Sequence, residues 1–271
     1  MPRARSLVVA TDGELSVERD PQRPSGRLLR QDDMDASYVD LADPRHLEFD
    51  YVRWARLVLR SFGARHVLHV GGAGCSLPRA LLADDADSRH EVFEIDQRVL
   101  DFARMHLGLR RQPGLKLRVA DGRAALIARA DDSAEAIVID AFVGARVPRH
   151  LVTAEAFAVC AAVAPLTVVN VVDTAGWRDA RAIAAGLGDA YRHVGALGSG
   201  SRRGGNMVLF GSAAEPRLRL LESLAAADAS PARILAASDL TGSVPWRDQR
   251  DSSSASSSSE RRPPAIGAMS T

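Results

Sequence analysis

The chain has 271 residues, 46% of them hydrophobic, and a formal net charge of +1 at pH 7. This is enough for one large folded domain with smaller appendages, and the balanced charge argues against binding to nucleic acid. Arginine supplies nearly all the positive charge, because Lys116 is the only lysine, and the arginines are interspersed with acids.

The sequence has no targeting or membrane segment that we can identify. The N-terminus lacks a long apolar core behind its basic residues, and no apolar run approaches the ~18 residues of a membrane-spanning helix. Cys75 and Cys160 lack both metal-ligand spacing and the density of a disulfide framework. We therefore expect a soluble, cytoplasmic protein that does not bind membranes, with both cysteines buried as small hydrophobic side chains.

The N-terminal region has the pattern of antiparallel hairpins. Residues 5 to 30 alternate apolar and polar positions around the turn signals Thr11-Asp12-Gly13 and Pro24-Ser25-Gly26. This predicts an N-terminal β domain over residues 1–42. Asp43-Pro44 then predicts the start of a helix, because apolar residues recur at helical spacing behind it, from Leu47 to Val58.

From His66 onward, apolar strand patterns alternate with helical segments. The predicted strands lie near 66–70, 91–95, 115–119, 135–140 and 166–172, and two further segments at 191–194 and 206–210 predict a closing hairpin. Such alternation predicts an α/β fold with a mainly parallel, Rossmann-like sheet, whose ligands bind at the carboxyl ends of the strands.

The chain is thus divided into four predicted parts. Behind the N-terminal β domain, residues 43–214 form the nucleoside-binding catalytic domain and residues 215–242 a C-terminal helical appendage. Residues 243–271 are rich in serine and poor in apolar side chains, a composition that cannot offset the entropy of the chain. We predict that this tail is disordered.

A glycine turn follows the first predicted parallel strand. Gly71, Gly72 and Gly74 permit positive φ and remove the Cβ atoms that would block a ligand. Ser76-Leu77-Pro78 then starts a helix. Leu77 stands where a dinucleotide fingerprint has its third glycine, so the turn indicates a nucleoside site, and a plain tight turn is the alternative.

Carboxylates follow the next two predicted strands. Glu94 can accept hydrogen bonds from both ribose hydroxyls of a nucleoside. Asp96 is placed either to assist Glu94 in this role or to cap the following helix. Asp121, with Gly122, is placed to receive the amino group of an adenine, and a helix N-cap is the alternative for Asp121.

Asp140 ends the fourth predicted strand, beside the glycine turn. A carboxylate at this edge can orient a cation or accept a proton from an attacking amine, so Asp140 is the candidate catalytic residue. The alternative is a structural aspartate at a strand end, and Asp173 after the fifth strand is interpreted as a cap or turn residue. The histidines share no metal-ligand spacing, so we assign no metal site and give them no catalytic role.

Together these residues resemble the spermidine synthase (polyamine aminopropyltransferase) family, in its divergent spermidine synthase-like branch. The resemblance runs from about Gly13 to Ser212. It is carried by Ser37-Tyr38-Val39-Asp40-Leu41, Asp43-Pro44, Leu47-Glu48-Phe49-Asp50-Tyr51, the Val67 to Pro78 loop, Phe93-Glu94-Ile95-Asp96, Asp121-Gly122-Arg123, Ile139-Asp140-Ala141-Phe142 and Pro148-Arg149-His150-Leu151-Val152-Thr153.

The resemblance implies a class I methyltransferase-like sheet behind an N-terminal β domain, and a homodimer. It implies transfer of an aminopropyl group from decarboxylated S-adenosylmethionine to putrescine or another small-molecule amine. By the same resemblance Glu94 would hold the ribose, Asp121 and Gly122 the adenine, Asp140 the attacking amine, and Tyr51 would border the acceptor channel.

The amine half of the site departs from the family pattern. Gly74 and Val143 stand where the resemblance implies acids, and Ala36 and Val52 where it implies polar side chains. Three functions therefore stay open. They are aminopropyl transfer, methyl transfer from ordinary S-adenosylmethionine to a small molecule, and a non-catalytic nucleoside-binding or assembly role.

Overall fold

The computed structural model describes residues 7–249, apart from positions 33, 73, 175, 202, 231 and 241. The described strands are β1 Leu7–Asp12, β2 Leu15–Arg19, β3 Gly26–Gln31, β4 Met34–Asp40, β5 His66–Gly71, β6 Arg89–Glu94, β7 Leu115–Val119, β8 Ala136–Asp140, β9 Leu166–Thr174, β10 His193–Gly198, β11 Gly204–Ser212 and β12 Arg233–Ala236. The described helices are α1 Asp50–Phe62, α2 Ser76–Asp84, α3 Gln97–His106, α4 Gly122–Ile127, α5 Ala154–Val163, α6 Arg178–Ala190 and α7 Leu218–Ala227. None of these helices has the length and apolar content needed to cross a bilayer.

The larger sheet confirms the predicted α/β fold. Its described strands follow the order β12-β10-β11-β9-β8-β5-β6-β7. Strands β5 to β9 pair in parallel, and β10, β11 and β12 pair antiparallel with their neighbours. The chain leaves β5 toward β6 and later returns to the other side of β5 as β8. This change of direction opens a crevice at the carboxyl ends of the central strands, where ligands of such sheets bind.

The sheet is buried because helices cover both of its faces. On one face, α5 and α6 pack on the strands through side chains such as Phe157 and Ile183. On the other, α1, α2 and α7 do so through Val58, Leu81 and Leu221. Burial on both faces explains the continuous apolar run in β8, since neither face of that strand needs polar side chains, and in β5 the apolar positions are interrupted only by His66 and His69 before Gly71.

The smaller sheet is antiparallel, in the order β1-β2-β3-β4, and extends the predicted hairpin unit to Asp40. It shares a hydrophobic core with α3, in which Val17 and Leu29 pack together with Phe102 and Leu107. This shared core holds the N-terminal sheet beside the glycine turn of the larger sheet.

The predicted helix start at Asp43-Pro44 is wrong. The side chain of Asp43 accepts a hydrogen bond from the Arg45 amide, and its carbonyl accepts one from the His46 amide, so these residues form a turn. The helix α1 begins at Asp50. Leu47 therefore lies before the helix, although it is buried in the same core as the helix face.

Two predictions at the C-terminus also need correction. The predicted helical appendage contains α7, but β12 then joins the larger sheet beside β10, where it pairs with the otherwise open edge of that strand. The predicted disorder from residue 243 onward is wrong for residues 243–249, which are in contact with the folded domain through Trp246 and Asp248. Residues 250–271 of the predicted tail lie outside the described residues.

A buried histidine pair in the sheet gives the fold a pH dependence. His69 Nε2 lies 3.1 Å from His90 Nδ1, and His90 Nε2 lies 3.0 Å from Ser88 Oγ. Burial lowers the pKa of His90 to about 4 and that of His69 well below its usual value. Both rings are therefore neutral in the folded protein, and the unfolded chain takes up their protons first as the pH falls.

We expect the free energy of unfolding to decrease as the pH falls from about 6.5 toward 4, by up to about 1.4 kcal/mol per pH unit for each ring. A His90→Gln variant cannot protonate at this position, so its decrease should be shallower over the same range. Urea unfolding between pH 7 and 4 measures both slopes. Equal slopes would show that His90 does not contribute.

Candidate functional site

The candidate site lies at the carboxyl edge of the central strands. Asp140, Gly71 and Glu94 end three adjacent strands, β8, β5 and β6. Gly71 pairs directly with Asp140 in the sheet register. Neighbouring strands are about 4.8 Å apart, so the backbones at Asp140 and Glu94 are separated by roughly 10 Å. The sheet thus brings the predicted catalytic and ribose-binding carboxylates to one crevice.

The first two glycines of the turn have different roles. Gly71 has a φ of +79°, and a Cβ there would lie 2.5 Å from the carbonyl oxygen of Asp140. Gly72 has a φ of +104°, and a Cβ there would meet no atom within 4 Å. Gly71 is therefore needed for the close approach of β8, whereas Gly72 leaves open space into which a ligand can fit.

Gly74 is packed against the N-terminal sheet. A Cβ at this position would lie 2.7 Å from Ser37 Oγ and 3.1 Å from Leu107 Cδ1. An acidic side chain at residue 74 would collide with Ser37 and Leu107 as they are placed here. The glycine at this position therefore fits the packing around it.

Glu94 is half-buried at the end of β6. Its Oε1 accepts a hydrogen bond of 3.1 Å from the Asp96 amide. Burial raises the pKa of Glu94, and backbone hydrogen bonds from Asp96 and Ile95 offset part of that rise. Asp96 itself caps α3 by accepting a 2.8 Å hydrogen bond from the Arg98 amide, so its cap interpretation is confirmed.

Asp121 forms both a helix cap and a contact with a histidine. Its Oδ1 accepts a 2.8 Å hydrogen bond from the Ala124 amide at the start of α4, and its Oδ2 lies 3.0 Å from His150 Nε2. Burial favours a higher pKa for Asp121, but these hydrogen bonds outweigh it and lower the pKa. At Gly122 a Cβ would lie 2.1 Å from Val70 Cγ1, so this glycine lets α4 pack against β5.

Asp140 belongs to a relay of amides across the sheet. Its Oδ1 accepts a 2.9 Å hydrogen bond from Asn170 Nδ2, and Asn170 Oδ1 accepts one of 3.1 Å from Asn206 Nδ2. Burial raises the pKa of Asp140 to about 6, and the bond from Asn170 opposes the rise. The carboxylate is held in one orientation, and it is a stronger base than an ordinary aspartate.

Tyr51 lies close to Asp140, in the first turn of α1. Its ring stacks on Phe49 with centroids 5.6 Å apart. Burial raises its pKa well above 10, and the negative charges of Asp140 and then Asp35 add to the rise. Tyr51 is therefore neutral and lies within the electrostatic reach of two carboxylates. Asp35 is a residue of β4 in the N-terminal sheet.

Asn170, Asn206, Asp35 and His150 were not predicted as site residues. Asn170 had a signal, since it is a polar residue within the apolar run of β9 and is buried there. The others depend on contacts between distant parts of the chain. Two of the residues that depart from the family pattern also have clear positions. Val52, on α1, is buried in the hydrophobic core, and Val143 is exposed on a turn after β8.

Three other predictions concern side chains around the site. Asp173 accepts hydrogen bonds from the amides of Thr174 and Ala180, which confirms its interpretation as a cap or turn residue. Cys75 and Cys160 are both buried, as predicted. Among the described residues, no three histidine, cysteine or acidic side chains are grouped so that they could hold a metal ion.

No protein-family model matches this chain, and no curated protein matches it. Solved structures do. A probable spermidine synthase from Corynebacterium glutamicum ATCC 13032 is 25% identical with a TM-score of 0.81, covering 93% of this chain and 99% of that chain. A spermidine synthase in complex with the transition-state analogue AdoDATO is 16% identical with a TM-score of 0.60, covering 79% and 76%. Human methyltransferase-like protein 13 in complex with SAH is 19% identical with a TM-score of 0.51, covering 76% and 95%.

Proposed function

We propose that this chain, a divergent spermidine synthase-like protein by its structure neighbours, is an aminopropyltransferase. It would move an aminopropyl group from decarboxylated S-adenosylmethionine to putrescine or another small amine. The observation that carries the proposal is the half-buried carboxylate of Asp140, which is oriented by Asn170, adds to the rise in the pKa of Tyr51, and lies at the same sheet edge as Glu94, the candidate ribose-binding residue.

The donor half of the site fits an adenosylmethionine-type ligand. Gly72 leaves space for the donor to approach the backbone of the turn. Glu94 has lone pairs for both ribose hydroxyls, and each such hydrogen bond to a charged group is worth about 1.5–3 kcal/mol. Asp121 would accept a hydrogen bond from the amino group of the adenine. A donor held by Glu94 would extend along the same sheet edge toward Asp140.

The transfer itself needs few groups from the protein. The neutral amine attacks the carbon next to the sulfonium, forming an N–C bond, while the C–S bond breaks and its electron pair passes to sulfur. The carboxylate of Asp140 takes the proton that the acceptor ammonium must lose before it attacks, and passes it to water. The products are methylthioadenosine and a substituted ammonium, which keeps its own proton. Holding the two reactants in line supplies most of the rate.

For the acceptor half, the candidate second carboxylate is Asp35. Its charge adds to the rise in the pKa of Tyr51 after burial and Asp140, and its Oδ1 also lies 3.5 Å from Arg30 Nε. A diamine carries a positive charge at its far end while the other end reacts. We assign Asp35 to that distal ammonium and Asp140 to the attacking nitrogen.

Incubating the purified protein with putrescine and decarboxylated S-adenosylmethionine should release methylthioadenosine, which chromatography detects. In parallel, calorimetry should show tighter binding of the decarboxylated donor than of S-adenosylmethionine. A roughly tenfold preference is expected, because the acids of the site repel the additional carboxylate.

The other functions give different results in the same assays. Tighter binding of S-adenosylmethionine, with methyl transfer to an acceptor, would contradict the proposal in favour of a methyltransferase. Nucleoside binding without turnover across a series of amines would favour a non-catalytic role.

A further inference from the structure

The last described residues pack against the helices beside the candidate nucleobase site. We refer to residues 243–249 as the C-terminal strap. The carbonyl of Trp246 accepts a 2.8 Å hydrogen bond from the Ala154 amide, and its ring lies 5.2 Å from the guanidinium of Arg149. Arg247 forms a 2.7 Å ion pair with Asp189. The strap is therefore attached at several points.

Asp248 makes the densest set of contacts in the strap. Its carboxylate accepts two hydrogen bonds from Arg123, at 2.7 and 2.5 Å, and one of 2.8 Å from Thr153 Oγ1. Its amide donates a 3.0 Å hydrogen bond to Glu155. The bidentate pair raises the pKa of Arg123 and lowers that of Asp248. This geometry fixes the plane of the guanidinium.

Arg123 continues this chain of contacts to the candidate site. The same guanidinium donates a 3.1 Å hydrogen bond to the carbonyl of His150. The His150 ring in turn lies 3.0 Å from Asp121 through Nε2. Because an ionised carboxylate only accepts hydrogen bonds, this nitrogen carries the proton and donates.

We propose that the C-terminal strap is part of the nucleoside site, and that Asp248 is a positioning residue for the recognition of an amino-substituted purine. Asp248 fixes Arg123, Arg123 fixes the backbone at His150, and His150 fixes the carboxylate of Asp121. The inference rests on the proposed function, in which Asp121 accepts the amino group of the adenine.

The chemistry of Asp121 explains why its orientation matters. Its two oxygens are already held by Ala124 and His150, which sets the directions of the remaining lone pairs. A purine with an amino group at C6 donates to such a lone pair, whereas a purine with an oxygen there cannot. The strap should therefore affect selectivity between the two bases, beyond any general effect on stability.

The test compares the binding of methylthioadenosine and methylthioinosine by calorimetry. The wild-type protein should bind methylthioadenosine at least tenfold more tightly, as expected for a hydrogen bond to a charged group. In Asp248→Asn, the affinity for methylthioadenosine should fall about tenfold, while the affinity for methylthioinosine changes less than twofold. Arg123→Gln should have the same effect, and the double variant should lose no more than either single one.

Asp189→Asn is a matched control, since it removes a different ion pair of the same strap. It should keep the wild-type selectivity. Wild-type selectivity in both Asp248→Asn and Arg123→Gln would overturn the inference and leave the proposed function intact. An equal loss for both nucleosides would also overturn it, because this is the result of a merely structural role. If the wild-type protein binds neither nucleoside, the proposed function fails, and the inference fails with it.

Discussion

An Asp140→Asn variant is expected to reduce the kcat of aminopropyl transfer by about 10²- to 10⁴-fold, the usual contribution of a positioned general base. The asparagine keeps the shape of the side chain and can still bond to Asn170, but it carries no charge and accepts no proton. Binding of methylthioadenosine should be retained, since the nucleoside half of the site is separate. Steady-state kinetics and calorimetry measure the two effects.

The pH dependence gives a second measurement of the same group. Because burial raises the pKa of Asp140 to about 6, the wild-type kcat should fall as the pH drops through 6 and the carboxylate takes up a proton. The residual turnover of Asp140→Asn should lack this step.

Two matched variants separate Asp140 from its neighbours. Asp173→Asn makes the same change near the end of the adjacent strand β9, where the aspartate bonds to backbone amides, and should keep kcat within about twofold of wild type. Asp35→Asn should raise the KM for a diamine a few-fold, because the exposed Asp35 contributes a solvent-screened charge. Full turnover in Asp140→Asn would refute the proposed role.

The second large effect is expected at Gly71. A Gly71→Ala variant should lose roughly 2–5 kcal/mol of stability, from the strain of a positive φ and from the collision of its Cβ with the backbone of Asp140. Gly72→Ala should lose only about 1–2 kcal/mol, because its Cβ meets open space. Urea unfolding measures both losses.

Ligand binding should separate the two glycines further. The Cβ of Gly72→Ala enters the space assigned to the donor, so this folded variant should bind methylthioadenosine at least tenfold more weakly than wild type. Gly13→Ala is the control. Gly13 also has a positive φ and open space, but it lies in the turn between β1 and β2. It should show the loss of stability without the loss of affinity. Unchanged binding by Gly72→Ala would mean that the donor does not approach this turn.

The parallel part of the fold could be predicted because it depends on local sequence. Strands β5 and β8 are mostly apolar, and Gly71 at the end of β5 and Asp140 at the end of β8 mark the edge of the sheet. The order of strands and helices then places Glu94 and Asp140 at the same edge. This needs only the topology of a βαβ unit.

The features of the structure that could not be predicted depend on contacts between residues that are far apart in the sequence. Asp248 pairs with Arg123, 125 positions away, and the serine-rich surroundings of the strap indicate disorder. Trp246 was the available signal, because a large aromatic side chain gains much from burial. Asp43-Pro44 was misread because the same residues favour a turn and a helix start.

The contact between Gly74 and Ser37 also constrains how this site can change. An acid at position 74 collides with a side chain of the N-terminal sheet, so acquiring the acid alone would damage the fold. Removing the bulk at Ser37 first leaves a small cavity without any functional gain. The two positions are therefore coupled, and an acid at position 74 would require an accompanying change at Ser37.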